Sequence, residues 1–488
     1  MFTTCIVTTI VVITDGDYIY VILLKQRVVC IINYMKRTVE SRLDAWLVSS
    51  DRRPLVLRGP RQVGKTWLVR ELAARSGRCL VEINFERDPS LKRIFAANDP
   101  RKILEELSLT LSIDISPETS LLFLDEIQGA GEVLAGLRWF YEELPQLPVV
   151  AAGSLLDFAL ADHTFSMPVG RIAFQHIEPM GFPEYLLAHG QERLLAPIAA
   201  WRPGSELSAA AHQQALRWFY RFAMVGGMPA VVAADVAGRE PRQVRELQKD
   251  LVAAYRADFA KYSGRMDRDI LDAVLQAVVA SLGRKFVHAH VREGVKQHQA
   301  KRALELLSMA QLVHQVHHTA ANGLPLGAEV KSSFRKVVAA DVAVVHALLS
   351  TPAAQSFPAW DALAPALRGQ LTDQLAASQL RQTDPGSGTG PELYYWQREG
   401  GRPGEIDYLV QMLGSIVPIE LKSGASGAMK SLHQFMFERQ LPLAVRADTN
   451  PPSVMNVAVK TTQGNAVSYR LISVPVYLLW NLPEILAK

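Results

Sequence analysis

Short apolar runs separated by amphipathic stretches fill the first third of the chain. Residues 55–57, 120–124 and 147–152 are mainly apolar, as expected for strands that are covered on both faces of a sheet. Residues 67–73, after the first run, have the spacing of a helix. This order of elements predicts an α/β fold built on a parallel sheet.

The pattern changes after residue 176. Residues 177–186 break the alternation of strands and helices, and residues 205–258 are largely helical, which predicts a helical lid rather than more sheet. Residues 226–229, Gly-Gly-Met-Pro, mark a turn inside the lid. At its end, Arg256 and Asp258 are explained as readily by a solvated charged face as by a function.

Two further helices, at residues 270–282 and 296–309, precede a predicted strand at residues 311–317. That order suits a winged helix, whose second helix would present Lys296, Lys301 and Arg302 to DNA. A protein-packing module with a solvated basic face explains the same residues, and we favour that interpretation.

Residues 59–66 match the phosphate-binding loop pattern G-x-x-x-x-G-K-[ST] at every position, between a predicted strand and a predicted helix. Backbone amides and the helix N-terminus would bind the phosphates of ATP. Lys65 would reach the β- and γ-phosphates, and Thr66 would ligate Mg²⁺. The predicted nucleotide-binding residues are Gly59, Pro60, Arg61, Gln62, Val63, Gly64, Lys65 and Thr66.

Two acids end the next apolar run, where the carboxyl ends of parallel strands bind ligands. We expect Asp125 in the Mg²⁺ shell and Glu126 as the group that polarises the attacking water. Ser154, after the third run, fits a position that contacts the γ-phosphate or its water; the alternative is a plain Gly-Ser turn. Arg171 would stabilise the negative charge that develops during phosphoryl transfer, in cis or across the subunit boundary of an oligomer. The alternative is a solvated arginine.

A second chemical signal lies in the last third of the chain. Predicted strands at residues 405–410 and 417–424 carry Asp407, Glu420 and Lys422, of which the last two share a face because side chains alternate along a strand. Two carboxylates can bind Mg²⁺, and a lysine can orient the nucleophile on a phosphodiester. Asp373, on a preceding helix, either adds a further metal-binding acid or is a solvated helix residue.

Length, charge and cysteines add limits. A chain of 488 residues with 49% hydrophobic residues predicts several domains, and a net charge of +4 permits a nucleic-acid partner without requiring one. The three cysteines lack metal-ligand spacing and indicate a reducing compartment, the cytoplasm. Apolar runs within the first 34 residues fall short of the roughly 20 residues that span a bilayer, so we expect no membrane helix.

The motifs together resemble bacterial and archaeal AAA-type ATPases that carry a C-terminal domain of unknown function, family 4143, over about residues 36–480. The resemblance implies an AAA-like core, a helical and winged-helix middle, and a C-terminal domain similar in fold to restriction-endonuclease-like nucleases. Asp373 stands where the family has glutamate, and the segment before Met35 has no counterpart. The motifs are residues 59–66, 121–128, 153–154, 226–229, 334–336 with Asp341, and 404–407 with 420–424.

These observations divide the chain into five parts and leave two functional classes. In the first, ATP hydrolysis controls a C-terminal Mg²⁺-dependent nuclease or DNA-binding domain; in the second, the same ATP switch carries an inactive domain that binds nucleic acid or protein. The predicted parts are a non-native extension or hairpin (1–34), the ATPase domain (35–190), the helical lid (191–265), the winged-helix-like module (266–345) and the restriction-endonuclease-like domain (346–488).

Overall fold

The computed structural model describes residues 5–15, 18–28, 35–153, 156–161, 168, 170–262, 266–349, 357, 359–384, 390–398, 400, 404–424 and 429–487. The chain divides into two units, Met1–Lys36 and Arg37–Lys488. In the first unit, β1 (Cys5–Asp15) and β2 (Tyr18–Val28) pair in antiparallel register. This pairing agrees with the hairpin alternative for the extension; a start at Met35 stays a prediction.

A parallel sheet of five strands forms the first part of the second unit, which confirms the predicted α/β fold. Its order is β4-β5-β6-β3-β7, and apolar clusters cover both faces. The strand β5 is buried at all six positions, as its continuous apolar run predicts. The elements are α1 (Glu40–Val48), β3 (Leu55–Arg58), α2 (Lys65–Ser76), β4 (Cys79–Asn84), α3 (Lys92–Phe95), α4 (Pro100–Leu111), β5 (Ser120–Asp125), α5 (Gly131–Glu143), β6 (Val149–Ala152), α6 (Leu156–Ala161) and β7 (Ala173–His176).

In the described residues between β7 and residue 313, helices follow the sheet with no further strand. The turn predicted at residues 226–229 separates α9 from α10, where Gly226 has a φ of 87° and Pro229 opens the next helix. Among the described helices, none is both long and apolar enough to cross a bilayer. The elements are α7 (Phe182–Ala188), α8 (Glu192–Ala200), α9 (Ala209–Val225), α10 (Pro229–Val236), α11 (Pro241–Tyr262), α12 (Arg268–Ala280) and α13 (Gln297–Met309).

A mixed sheet of eight strands forms the C-terminal part, in the order β14-β15-β13-β12-β11-β10-β8-β9. The strand pair β8–β9, assigned from sequence to a winged-helix-like module ending at residue 345, continues this sheet because β8 pairs with β10 in parallel. The predicted boundary between residues 345 and 346 therefore separates strands of one sheet. The elements are β8 (Val313–Thr319), β9 (Val330–Ala339), α14 (Val342–Leu348), α15 (Pro365–Arg381), β10 (Leu393–Gln397), β11 (Glu405–Met412), β12 (Ser415–Leu421), α16 (Lys430–Arg439), β13 (Leu443–Asp448), β14 (Ser453–Lys460), β15 (Ala466–Pro475) and α17 (Leu482–Leu486).

Candidate functional site

The phosphate loop joins the carboxyl end of β3 to the first turn of α2. Gly59, with a φ of 143°, passes so close to β7 that a Cβ would lie 2.3 Å from the carbonyl oxygen of Ile177. Gly64, with a φ of 94°, is the N-cap of α2. Both positions need glycine, the first for close approach and the second for a left-handed backbone. The loop therefore presents its amides and the helix N-terminus at the sheet's carboxyl edge.

The side chains of Lys65, Thr66 and Asp125 meet at this edge. Lys65 Nζ donates to the carbonyl oxygens of Gly59 at 2.8 Å and Pro60 at 2.9 Å. Thr66 Oγ1 donates to Asp125 Oδ2 at 3.1 Å. A hydroxyl and a carboxylate in contact are suitable ligands for Mg²⁺, and the loop amides fit phosphate.

Burial shifts two pKa values at this position. Burial lowers the pKa of Lys65 to about 8, although Glu126 and Asp125 oppose the change. Burial and the neighbouring charge of Glu126 raise the pKa of Asp125. A cation added between these groups would stabilise both carboxylates in their ionised form.

Glu126 follows β5 in a left-handed backbone conformation, with a φ of 53°. Gln128 Nε2 donates to its carboxylate. Gly153, at the end of β6, leaves room for this amide, because a Cβ there would lie 2.3 Å from Gln128 Oε1. Gln128 therefore orients Glu126, a role that sequence reasoning missed although the residue ends the same motif.

A cavity of about 340 Å³ is lined by the loop and the two acids. Arg61 lines it and pairs with Asp258 of α11 at 2.8 Å. Asp258 is buried, so a solvated face does not explain it. Arg70 also lines the cavity, where Glu82 holds its guanidinium through two hydrogen bonds of 2.8 and 2.7 Å. Helix α11 thus contacts the phosphate loop directly.

Of two other predicted residues, one lies outside the described residues and the other lies away from this cavity. Ser154 lies outside the described residues. Arg171 precedes β7, whose first residue pairs with the first residue of β3, so Arg171 lies at the amino edge of the sheet, opposite the phosphate loop. There it is exposed and pairs with Glu142 at 2.9 Å. Its action in cis is not supported by this position, and action across a subunit boundary stays a prediction.

The C-terminal candidate residues lie on neighbouring strands β11 and β12. Tyr408 pairs with Ile419, and Asp407 and Glu420 are the next residues on β11 and β12, with Glu405 and Lys422 two residues further from that pair. Lys422 Nζ donates to Glu420 Oε1 at 2.6 Å, and Asp407 Oδ2 accepts from the amide of Leu421 at 2.8 Å. All four charged side chains therefore share one face of the sheet.

Asp373 approaches this face from α15 and is buried, so the alternative of a solvated helix residue is wrong. Its Oδ2 accepts from the amide of Gly283, which follows α12, at 3.2 Å. Burial raises the pKa of Asp373 to about 6, although Lys336 opposes the change. Asp373 and Asp407 both line a cavity of about 460 Å³, and exposed Arg284 lines the same cavity.

Two lysines neutralise these carboxylates. Lys336 of β9, unassigned from sequence beyond its family motif, contacts the Glu405 carboxylate and lies 3.9 Å from Asp407 Oδ1. Among the described residues, no group of three or more His, Cys, Asp or Glu side chains has the arrangement of a metal site. The three predicted metal-binding acids therefore do not form one ligand set here. Glu420 Oε2 nevertheless is buried without a hydrogen-bond partner among those residues, which fits a cation beside it.

Three family models match separate parts of the chain. An AAA domain matches residues 51–186, which include the phosphate loop, Asp125 and Glu126. A domain of unknown function, DUF4143, matches residues 368–464. The chain contains an AAA domain and a DUF4143 domain. A further domain of unknown function, DUF8612, matches residues 216–355, between the AAA domain and the DUF4143 domain, and was not predicted.

Two of the solved structures that are similar to this AAA-domain protein are distant in sequence. The Walker-type ATPase PABY2304 of Pyrococcus abyssi is 17% identical, with a TM-score of 0.41 over 64% of this chain and 96% of that chain. The Aeropyrum pernix ORC1 protein, in complex with DNA, is 16% identical, with a TM-score of 0.24 over 66% and 96%. No curated protein matches. Neither likeness carries an argument about this chain.

Proposed function

We propose that this protein is a Mg²⁺-dependent ATPase whose nucleotide state controls a nuclease-like C-terminal site. The hydrogen bond from Thr66 to Asp125 carries the first half of the proposal. It joins the hydroxyl of the phosphate loop to the acid of β5 in the cavity that Lys65 and Glu126 also line. Bound Mg²⁺ would neutralise phosphate charge at these two ligands.

The chain's own groups account for ATP hydrolysis as follows. Lys65 exchanges the carbonyl oxygens of Gly59 and Pro60 for phosphate oxygens, which leaves its ammonium paired with an anion. Glu126 accepts the proton of the attacking water, and Gln128 holds its carboxylate in position. Arg61 links this chemistry to the lid through Asp258.

A series of buried contacts supports the control of the C-terminal part. Arg37 donates to the carbonyl oxygen of Val63 in the phosphate loop at 3.0 Å and to that of Glu178 at 2.6 Å. The carboxylate of Glu178 pairs with Arg381, which ends the helix that carries Asp373. A shift of the loop on nucleotide binding would therefore act on α15 through two arginines.

In this buried junction the carboxyl of Glu178 favours its ionised form. Burial would raise the pKa of Glu178, but Arg381 and His176 outweigh it and hold that pKa well below its ordinary range. Gln382, the next residue, donates to the carbonyl oxygen of Pro179 at 3.0 Å. The end of α15 is therefore tied to the ATPase domain by a charged contact and a neutral one.

For the C-terminal site we propose hydrolysis of a phosphodiester of DNA. Asp407 and Glu420 would hold one divalent cation, and Lys422 would orient the attacking water. The exposed side chain of Arg284, beside the same cavity, suits a backbone phosphate. Lys296 and Lys301 are also exposed and extend the basic character of this module.

A second candidate function is an ATP switch with an inactive C-terminal domain that binds nucleic acid or protein. The pairing of the carboxylates with Lys336 and Lys422 favours it, because a charge-balanced cluster needs no metal ion to be stable. In that case the ATPase acts as proposed, and the C-terminal face is only a binding surface.

One experiment separates the two candidates. ATP turnover by the full chain is measured with Mg²⁺, with and without DNA, and the integrity of the DNA is checked in the same tubes. We expect ATP-dependent cleavage that disappears in Asp407→Asn and persists in the exposed control Asp361→Asn. ATP turnover without cleavage would favour the inactive domain, and absence of turnover would contradict the ATPase assignment.

A further inference from the structure

Lys336 is buried beside the C-terminal carboxylates. Only 1% of its surface is exposed, although it carries an ammonium group. Its Nζ contacts the Glu405 carboxylate, lies 3.9 Å from Asp407 Oδ1, and lies 5.1 Å from the ring centre of Tyr395. A buried lysine with two carboxylates and an aromatic face is held as a cation, since burial without such partners would favour the neutral amine.

The position of this ammonium resembles that of a metal ion. Asp407 offers one oxygen towards Lys336 and uses the other to accept the amide of Leu421. Glu405 and Asp407 lie two residues apart on one strand and thus face the same way. Their charges are balanced by Lys336 in the manner in which a cation bridges two carboxylates in a metal site.

The other half of the cluster has an unbalanced oxygen. Glu420 Oε1 accepts from Lys422, but Oε2 is buried and has no hydrogen-bond partner among the described residues. Asp407 and Glu420 are the residues next to the paired Tyr408 and Ile419 on the neighbouring strands β11 and β12. A single divalent cation between these two carboxylates would satisfy the unpaired oxygen without displacing either lysine.

We propose that the ammonium of Lys336 takes the place of a cation between Glu405 and Asp407, so that the C-terminal site binds a single divalent cation, between Asp407 and Glu420. The proposal rests on the C-terminal site proposed above. Lys336 is then a positioning residue: it acts through Asp407 and Glu405 and does not touch the substrate. Because Lys336 comes from β9, the site also depends on the strand pair β8–β9, which lies in the same sheet as β11 and β12.

The test counts metal ions rather than products. Mn²⁺ binding to the nucleotide-free full chain is measured by calorimetry and electron paramagnetic resonance, with Asp125→Asn present throughout to remove the ATPase metal position. We expect one Mn²⁺, lost in Glu420→Gln. In Lys336→Met we expect a second Mn²⁺, with spin coupling between the two ions, because an uncharged side chain leaves Glu405 and Asp407 unbalanced.

Two control variants test whether the effect depends on the charge and the position of Lys336. Lys336→Arg keeps the charge and should still bind one ion, and the exposed Lys460→Met should match the parent. One ion in Lys336→Met with unchanged affinity, or two ions in the parent, would overturn the proposal for Lys336. The parent's count stands even if Lys336→Met does not fold. No Mn²⁺ sensitive to Glu420→Gln would instead overturn the metal site itself, and the proposal with it.

Discussion

The amide of Gly227 donates a hydrogen bond of 2.8 Å to Asp341 Oδ2, which joins the turn between α9 and α10 to the start of α14. The carbonyl oxygen of Gly227 accepts from the amide of Met180, at the exit of the ATPase domain, at 2.7 Å. One glycine therefore bonds to two distant segments. The motif at residues 226–229 and Asp341, which lie far apart in the sequence, therefore meet at this junction.

Gly227→Ala should destabilise the protein by about 1–3 kcal/mol, since added atoms in a packed junction force the backbone to move. A Cβ at this position would lie 2.1 Å from the carbonyl oxygen of Met180. Urea unfolding measures the effect. Gly323→Ala is the control, because a Cβ there meets no atom within 4 Å. Equal midpoints for the two variants would contradict the close contact.

Asp341→Asn should change how stability depends on pH. Burial raises the pKa of Asp341 to about 6, although the amides of Ala343 and Gly227 oppose it. A raised acid pKa means that the folded state binds the proton more tightly, so this group's stabilisation is present below about pH 4 and is lost as the pH rises through about 6. Asparagine has no such proton.

The free energy of unfolding is measured from pH 4 to pH 7.5 for the parent and Asp341→Asn. The difference between the two proteins should therefore change with pH, because only the parent loses stability as the pH rises. The parent should lose about 2–3 kcal/mol relative to the variant across this range, at 1.36 kcal/mol per pKa unit. A difference that is constant with pH would show that Asp341 does not titrate in this window.

Lys65→Ala should weaken ATP binding by at least about tenfold, because a charge-assisted hydrogen bond to phosphate is lost from a buried site. Titration with a fluorescent ATP analogue measures the affinity. Lys102→Ala, an exposed lysine of α4, should bind as the parent does. If Lys65→Ala binds ATP with the parent's affinity, the phosphate loop is not the ATP-binding site.

Glu126→Gln should retain ATP binding and lower turnover by roughly 10²–10⁴-fold, the usual contribution of a general base. Gln128→Ala should give a smaller loss of turnover, since it leaves the carboxylate but frees its orientation. Phosphate release in single-turnover assays distinguishes chemistry from binding. Glu132→Gln, an exposed acid in α5, serves as the control, and turnover at the parent's rate in Glu126→Gln would exclude its role.

The sequence predicted the ATP site more completely than the C-terminal site, for a physical reason. Residues Gly59 to Thr66 form one continuous segment, the loop and the first two residues of α2, so a local sequence pattern is enough to predict their arrangement. Lys336 reaches Glu405 from a strand about 70 residues earlier, and only the sheet order brings the two together. No pattern of residue spacing along the sequence predicts such a contact.

The same distinction explains why one sheet crosses the predicted boundary at residue 345 and why two arginines were missed. A helix-helix-strand order predicts a separate module, but strand pairing is decided by partners elsewhere in the chain, and β8 pairs with β10. Arg37 and Arg381 have no local motif, because their role depends on the backbone of Val63 and on Glu178. Arg171 is a candidate from sequence, but its place at the amino edge of the sheet follows from the pairing of β7 with β3.

The contact between Glu178 and Arg381 gives the sharpest test of coupling. Arg381→Lys keeps the charge but removes the planar fork that contacts Glu178 and the carbonyl oxygen of Pro391 together. ATP turnover should remain within about twofold of the parent, since Arg381 lies outside the nucleotide cavity. The response of α15 to ATP, measured by hydrogen exchange of its amides, should be lost.

Arg368→Lys, on the same helix, should keep the full response to ATP because its partner, at 3.2 Å, is the exposed Asp361 and not a residue of the ATPase domain. If ATP leaves exchange in α15 unchanged in the parent, the nucleotide does not act on this helix. If Arg381→Lys responds as the parent does, the signal travels by another route, of which Gln374, bonded to Ala339 at 2.8 Å, is the next to test.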